Sequence, residues 1–170
     1  MDRCLTTLCY LEKDDKYLMM HRISKKNDIN KDKWIGVGGH FEENESPEDC
    51  IQREILEETG FNIPKEEIDY RAIVTFISDK GDYELMSLFT AKAPDGQPKE
   101  CDEGRLEWVA KSEVYKLNLW EGDKIFFKLL EESREFFSLK LSYDIEDNLK
   151  EAVLNGRDLD FRAMLDKIDK

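Results

Sequence analysis

The stretch from Ser46 to Gly60 constrains this chain more than any other. Ser46 can cap a helix, Pro47 suits its first turn, and Asp49 stands where an acid closes a capping box. Gly60 fits the left-handed residue that ends a helix. The spacing predicts a helix over 47–59, with Cys50, Ile51 and Ile55 as its apolar face. The same spacing sets Glu54, Glu57 and Glu58 at i, i+3 and i+4, three carboxylates within one turn. Acidic residues on a helix are most simply a solvated face. A hard divalent cation, Mg2+ or Mn2+, would instead relieve their repulsion through oxygen ligands. Arg53, four residues before Glu57, can pair with a neighbouring carboxylate and hold it in a ligating rotamer. Gly38-Gly39 lets bare backbone approach the same place, so a main-chain carbonyl could complete the shell.

Around this helix the pattern is mostly that of strands. Residues 3–12 and 16–22 pair across Lys13-Asp14-Asp15-Lys16, and 68–78 and 83–93 are two longer strands joined at Asp79-Lys80-Gly81-Asp82. Leu106–Val109 is a short strand and Phe136–Tyr143 alternates like one. Polar loops are expected from Ser24 to Lys33 and from Ala93 to Pro98. Asp123–Ser133 reads as an amphipathic helix carrying Ile125, Phe126, Leu129 and Leu130 on one face. Near the acidic C-terminus, Phe161, Met164, Leu165 and Ile168 recur at helical spacing. That stripe is expected to pack on its own domain, with a dimer contact as the alternative. The order lacks a regular βαβ rhythm, which predicts an α/β protein with a compact sheet between helices. Its boundaries are set at 1–143 for the main domain and 144–170 for an acidic helical extension packed on it.

Charge narrows the partners. With 39 Asp+Glu against 26 Lys+Arg the net charge is -13, which repels phosphate backbones and argues against bulk nucleic-acid binding. No apolar run nears the roughly 18 residues a membrane span needs. The N-terminal residues lack the pattern of a secretory signal, so a cytoplasmic protein is expected, a monomer or a homodimer. Cys4, Cys9, Cys50 and Cys101 are scattered and only His21 and His40 accompany them, so reduced thiols are expected and a zinc site is not.

The segment Gly39 to Phe61 resembles the signature of the Nudix (MutT-like) hydrolases, G-x5-E-x7-R-E-U-x-E-E-x-G-U, where U is aliphatic or aromatic. Gly39, Glu45, Arg53, Glu54, Ile55, Glu57, Glu58, Gly60 and Phe61 meet its fixed positions. The resemblance implies an α/β/α sandwich with a mixed sheet and Mg2+-dependent cleavage of a nucleoside diphosphate linked to another group. It implies Glu54, Glu57 and Glu58 as metal ligands and catalytic carboxylates, a metal contact from the Gly38 carbonyl, and positioning by Glu45 and Arg53. Trp34 to Gly39 is similar to the strand that leads into the box. The base in such enzymes is a box glutamate or an acid from a later loop. Here Glu100, Asp102 and Glu103 are available, and Glu103 aligns best as base and metal ligand, its simpler reading being an exposed loop acid. Physical chemistry agrees: a chain of charge -13 attracts a triphosphate only if metal ions reverse the local sign.

Leu119-Trp120-Glu121-Gly122-Asp123 resembles the base-reading loop of animal-type enzymes that hydrolyse oxidised purine nucleoside triphosphates. Trp120 would stack on the base and Asp123 read its edge. Gly122 stands where that pattern has a second Asp, and Ile35 where it has an Asn. His40 replaces a common Lys and would touch phosphate or be solvated, and Trp120 could equally be a core residue. The resulting expectation is a pyrophosphohydrolase for a small nucleotide such as 8-oxo-dGTP, releasing monophosphate and pyrophosphate. The alternatives are a pyrophosphatase for ADP-ribose, a dinucleoside polyphosphate or a capped RNA end, and a catalytically silent nucleotide-sensing module.

Overall fold

Ser46 caps the central helix of the computed structural model as the sequence predicts. Its hydroxyl accepts the Asp49 N–H at 3.1 Å, and the Asp49 carboxylate accepts the Ser46 N–H at 3.0 Å. Gly60 ends the helix at φ 80°, its N–H donating to the Leu56 carbonyl. The structure describes residues 2–23 and 26–170, so Ser24 and Lys25 of the predicted loop lie outside the described residues. In chain order the elements are β1 (Asp2–Lys13), β2 (Lys16–His21), β3 (Trp34–Ile35), β4 (Val37–His40), α1 (Pro47–Thr59), β5 (Ile68–Ser78), β6 (Asp82–Lys92) and β7 (Arg105–Ala110). They continue with α2 (Glu121–Glu132), β8 (Phe137–Tyr143), β9 (Leu149–Leu154), β10 (Arg157–Asp158) and α3 (Phe161–Ile168). Strands and helices combine into the mixed α/β fold that was expected.

The residues cluster into two units. One comprises Thr7–Tyr70 with Phe89–Leu119 and contains α1. There β1 and β2 form a hairpin in the register Glu12↔Tyr17, turned by Asp14 and Asp15 at φ 51° and 61°. β2 also pairs antiparallel with β3 and β7, and β4 pairs with β1. The apolar face of α1, Ile51 and Ile55, closes on Cys9, Leu11, Leu18, Met20, Val37 and Phe89, all fully buried. Gly38 is required here, because a Cβ would strike the Thr7 carbonyl on β1. That close approach sets β4 directly ahead of the helix that carries the glutamates.

The other unit comprises residues up to Thr6, Arg71–Leu88 and Trp120–Lys170. β8 runs parallel to β5, from Ala72↔Phe137 to Ser78↔Tyr143, and antiparallel to β9. α2 ends against Arg71, a buried guanidinium that donates to the Leu130 and Ser133 carbonyls at 3.0 and 2.7 Å. Those are the carbonyls a helix end leaves without partners. The expected helical extension over 144–170 is corrected here: only Phe161–Ile168 is helical, and β9 and β10 precede it as a hairpin. The turn is Asn155-Gly156, at φ 50° and 79°, a strong two-residue hairpin signal.

The C-terminal stripe is covered within the chain. Phe161 and Leu165 are buried, α3 packs on α2, and Lys124 bridges to Asp169 at 3.0 Å. Leu165→Ala is expected to cost about 2–4 kcal/mol with no change in solution mass. Denaturant unfolding and light scattering check this. A changed mass with unchanged stability would put the stripe in a dimer contact instead.

Candidate active site

Arg53 organises the acidic end of α1. Its Nε donates to Glu45 Oε1 at 2.5 Å and its Nη2 to Glu45 Oε2 at 3.0 Å, a bidentate pair. Nη2 also reaches the His40 carbonyl at 3.1 Å, and Nη1 donates to Glu54 at 2.8 Å and Glu57 at 3.3 Å. One guanidinium therefore ties two helix carboxylates to the loop before the helix. The Arg53 hydrogen bonds, aided by the Glu42 N–H, hold the Glu45 carboxyl down at about 2. The same bonds push the Arg53 guanidinium still further up.

The loop backbone is pinned from behind. The Cys50 thiol lies within 3.6 Å of the His40 carbonyl and 3.8 Å of the Gly39 carbonyl, and the Thr7 hydroxyl donates to the latter at 3.4 Å. Burial raises the Cys50 thiol to about 11, so it stays neutral and able to donate. The sequence marks Cys50 only as part of the apolar helix face and marks Thr7 not at all, because spacing alone carries neither role.

Glu54 and Glu58 meet the glycine pair. A Cβ on Gly39 would lie 2.5–2.8 Å from the Glu54 carboxylate, so only glycine lets that carboxylate rest against the backbone. The Gly38 N–H donates to Glu58 Oε2 at 3.0 Å. Glu58 is 5% exposed, and burial above all pushes its carboxyl up to about 9. A hydrogen bond with Glu103 and the charges of Glu103 and Glu54 push the same way. Glu54 is raised too, chiefly by burial, against the pull of Arg53. Two carboxyl groups in such contact hold a proton at neutral pH unless a cation replaces it.

Glu103 is delivered by the tight turn Cys101–Gly104, which closes through a bridge between its ends. A Cβ on Gly104 would strike the His21 carbonyl, so the turn lies directly on the end of β2. Of the three late-loop acids, Glu103 is the one hydrogen-bonded to Glu58, while Glu100 and Asp102 are exposed. Ile35 packs on the core of this unit, and the His40 side chain is exposed while its carbonyl serves Arg53.

Among the described residues, no three Asp, Glu, His or Cys side chains converge closely enough to hold a metal ion as they stand. Glu57, with a side chain 58% exposed, is drawn to Arg53 instead. The donor chemistry still fits a hard divalent cation. It is all carboxylate oxygen, and Glu54 and Glu58 carry raised carboxyls that a positive charge would lower.

Trp120 and Asp123 belong to the other unit. Trp120 is 6% exposed, edge-on to Phe76 at 5.3 Å and to Tyr143 at 5.1 Å, and Asp123 is 8% exposed on the first turn of α2. A base could stack on this indole only after its ring was uncovered. Gly122 donates its N–H to the Tyr143 hydroxyl at 2.9 Å. A Cβ there would strike Leu141 and stand 2.6 Å from that hydroxyl, so β8 fills the place of a second acid. Gly122→Asp is expected to destabilise the fold by about 2 kcal/mol or more, read from thermal unfolding. An unchanged melting temperature would contradict this packing.

The NUDIX domain family model matches residues 2–130. The chain is 34% identical over 116 residues to the oxidized purine nucleoside triphosphate hydrolase of Mus musculus, covering 66% of this chain and 71% of that protein. It is 32% identical over 122 residues to an uncharacterised Nudix hydrolase of Bacillus subtilis, covering 69% and 72%. The crystal structure of a mutator MutT protein from Bacillus halodurans is similar at a TM-score of 0.76 and 26% identity, over 89% of this chain and 97% of that one. Hydrolases of this kind generally use a divalent metal. With the family model spanning most of the chain and the signature residues gathered on one capped helix around Arg53, the protein belongs to the Nudix family of hydrolases.

Proposed function

We propose that this hydrolase is a Mg2+-dependent pyrophosphohydrolase of nucleoside triphosphates, oxidised purine nucleotides such as 8-oxo-dGTP among them, yielding the monophosphate and pyrophosphate. The buried Glu58 carboxyl, hydrogen-bonded to Glu103 and beside Glu54, carries this reading, because burial has prepared Glu58 and Glu54 to exchange a proton for a cation. Glu54, Glu57, Glu58 and Glu103, with the Gly38 backbone, would hold Mg2+, or Mn2+ in its place. The ion when bound supplies neutralisation of charge on the phosphate oxygens. Arg53 keeps Glu54 and Glu57 oriented, and Glu45 with the His40 carbonyl keeps Arg53 in place. Glu103 takes the proton of the attacking water. The exposed His40 ring can meet a phosphate, and Ile35 shapes the strand ahead of the box.

Support for an oxidised purine comes from the mouse relative and from the zebrafish protein of the same name, 31% identical over 114 residues. The burial of Trp120 and the closure of position 122 favour a second reading, a pyrophosphatase for another nucleoside diphosphate derivative such as ADP-ribose or a dinucleoside polyphosphate. In either case the partner is a small nucleotide rather than a membrane or bulk nucleic acid. Among the described residues no helix is long and apolar enough to cross a membrane. A cytoplasmic monomer or homodimer completes the proposal.

Chromatographic separation of the products from a panel of 8-oxo-dGTP, dGTP, dATP, ADP-ribose and diadenosine tetraphosphate, with and without Mg2+, tests it. The best kcat/KM is expected on 8-oxo-dGTP and only with Mg2+. A preference for ADP-ribose would move the assignment to the second reading. Trp120→Ala separates the two: a base pocket loses its preference among nucleotides, whereas a core role lowers all of them equally along with the melting temperature.

A further inference from the structure

We propose that Arg22 is the positioning residue for Glu103, an inference that rests on the reading of Glu103 as part of the catalytic site. Arg22 follows β2, well before the box, at the neck of the loop that returns at Lys33. Its N–H donates to the Lys33 carbonyl at 2.9 Å, and its own carbonyl accepts the Asp32 N–H at 2.6 Å. The backbone of Arg22 is therefore fixed independently of its side chain. That side chain is 14% exposed and faces two carboxylates. Nε donates to Asp28 Oδ2 at 2.6 Å, and Nη1 donates to Glu103 Oε2 at 3.0 Å.

The two partners differ in what holds them. The Asp28 side chain is 8% exposed, and its other oxygen accepts the Asn30 N–H at 3.0 Å, so Asp28 is part of the loop's own framework. Glu103 sits on a four-residue turn with a side chain 36% exposed, and from α1 it faces the acids Glu58 and Glu54. Glu103 is thus gripped from two sides, by the hydrogen bond it shares with Glu58 and by the charge-assisted one it accepts from Arg22. A planar guanidinium fixed on Asp28 at one edge presents its other edge in one orientation, which a flexible ammonium does not. Arg22 thus holds Glu103 against Glu58, in the place where the two carboxyls act together.

The test measures Mn2+ binding to the metal-free protein by calorimetry alongside steady-state kinetics on the best nucleotide of the panel. Arg22→Gln is expected to weaken Mn2+ binding and lower kcat about 10–100-fold, the range for residues that orient a ligand, with KM little changed. Arg22→Lys should recover part of both losses. Asp28→Asn, which keeps an acceptor oxygen for Arg22 Nε but removes its charge, should lose clearly less of both than Arg22→Gln. A raised KM with unchanged Mn2+ affinity in Arg22→Gln would make Arg22 a substrate contact and overturn the proposal. Equal losses in Asp28→Asn would make Arg22 a loop fastener and overturn it too. If Arg22→Gln does not fold, Arg22→Lys decides: parental Mn2+ affinity and kcat in that variant count against positioning. A parent protein that neither binds Mn2+ nor cleaves any nucleotide overturns the reading of the site itself, and this inference with it.

Discussion

Glu58→Gln is expected to lose about a thousand-fold or more in turnover while its fold is retained. The amide is isosteric, and its oxygen can still accept the Gly38 N–H that Glu58 accepts at 3.0 Å. What disappears is the charge the site needs in its active state. Glu57→Gln should lose a comparable factor for a different structural reason. Glu57 is exposed and its carboxylate meets Arg53, so the variant leaves the packing untouched and removes only the charge of a proposed ligand. Turnover near the parent level in both variants at saturating Mg2+ would remove the metal assignment.

Stability of the metal-free protein should fall as pH rises from about 4.5 toward about 9. In that window folded Glu58 keeps its proton, because its carboxyl lies near 9, while the unfolded chain has released the same proton at the ordinary value of 4.5. The folded state then binds more protons than the unfolded one, so each step up in pH favours unfolding. Below the ordinary carboxylate range the two states are protonated alike and the effect vanishes. A bound divalent cation replaces the proton, so the rise in melting temperature on adding Mg2+ should grow with pH. Glu58→Gln should flatten both trends. For a chain of this size each kcal/mol is read as roughly 2–4 °C, so scans at pH 5, 7 and 9 with and without Mg2+ resolve it. Parallel behaviour of the parent and Glu58→Gln across that range would contradict the buried-acid account.

Local chemistry was legible in the sequence wherever it is written by neighbours. The helix Pro47–Thr59 was readable to the residue because Ser46, Asp49 and Gly60 mark both ends within the chain itself. The β1–β2 hairpin and β5 were readable for the same kind of reason, turn residues flanked by apolar runs. The link between Arg53 and the box acids also follows from spacing on one helix, although its bidentate grip on Glu45 depends on the loop's return.

What the sequence concealed is set by distant residues. The partner of Glu103 is Arg22, 81 positions away, and nothing near either residue announces the other. Trp120 reads as a stacking surface beside acids, yet Phe76 from β5 and Tyr143 from β8 pack edge-on against it. The departure at Gly122 becomes intelligible only when Leu141 and Tyr143 are seen to fill the space a side chain would need. β9 and β10 were concealed differently. Asn155-Gly156 is a local hairpin signal, but the acidic composition of the tail and the helical stripe of α3 mask it.

The most direct test of the central claim is identification of the products by phosphorus NMR after incubating the protein with 8-oxo-dGTP and Mg2+. The account predicts nucleoside monophosphate and pyrophosphate in equal amounts, formed by the parent protein and lost in Glu58→Gln. Nucleoside diphosphate with inorganic phosphate, or equal yields from Glu58→Gln, would contradict it.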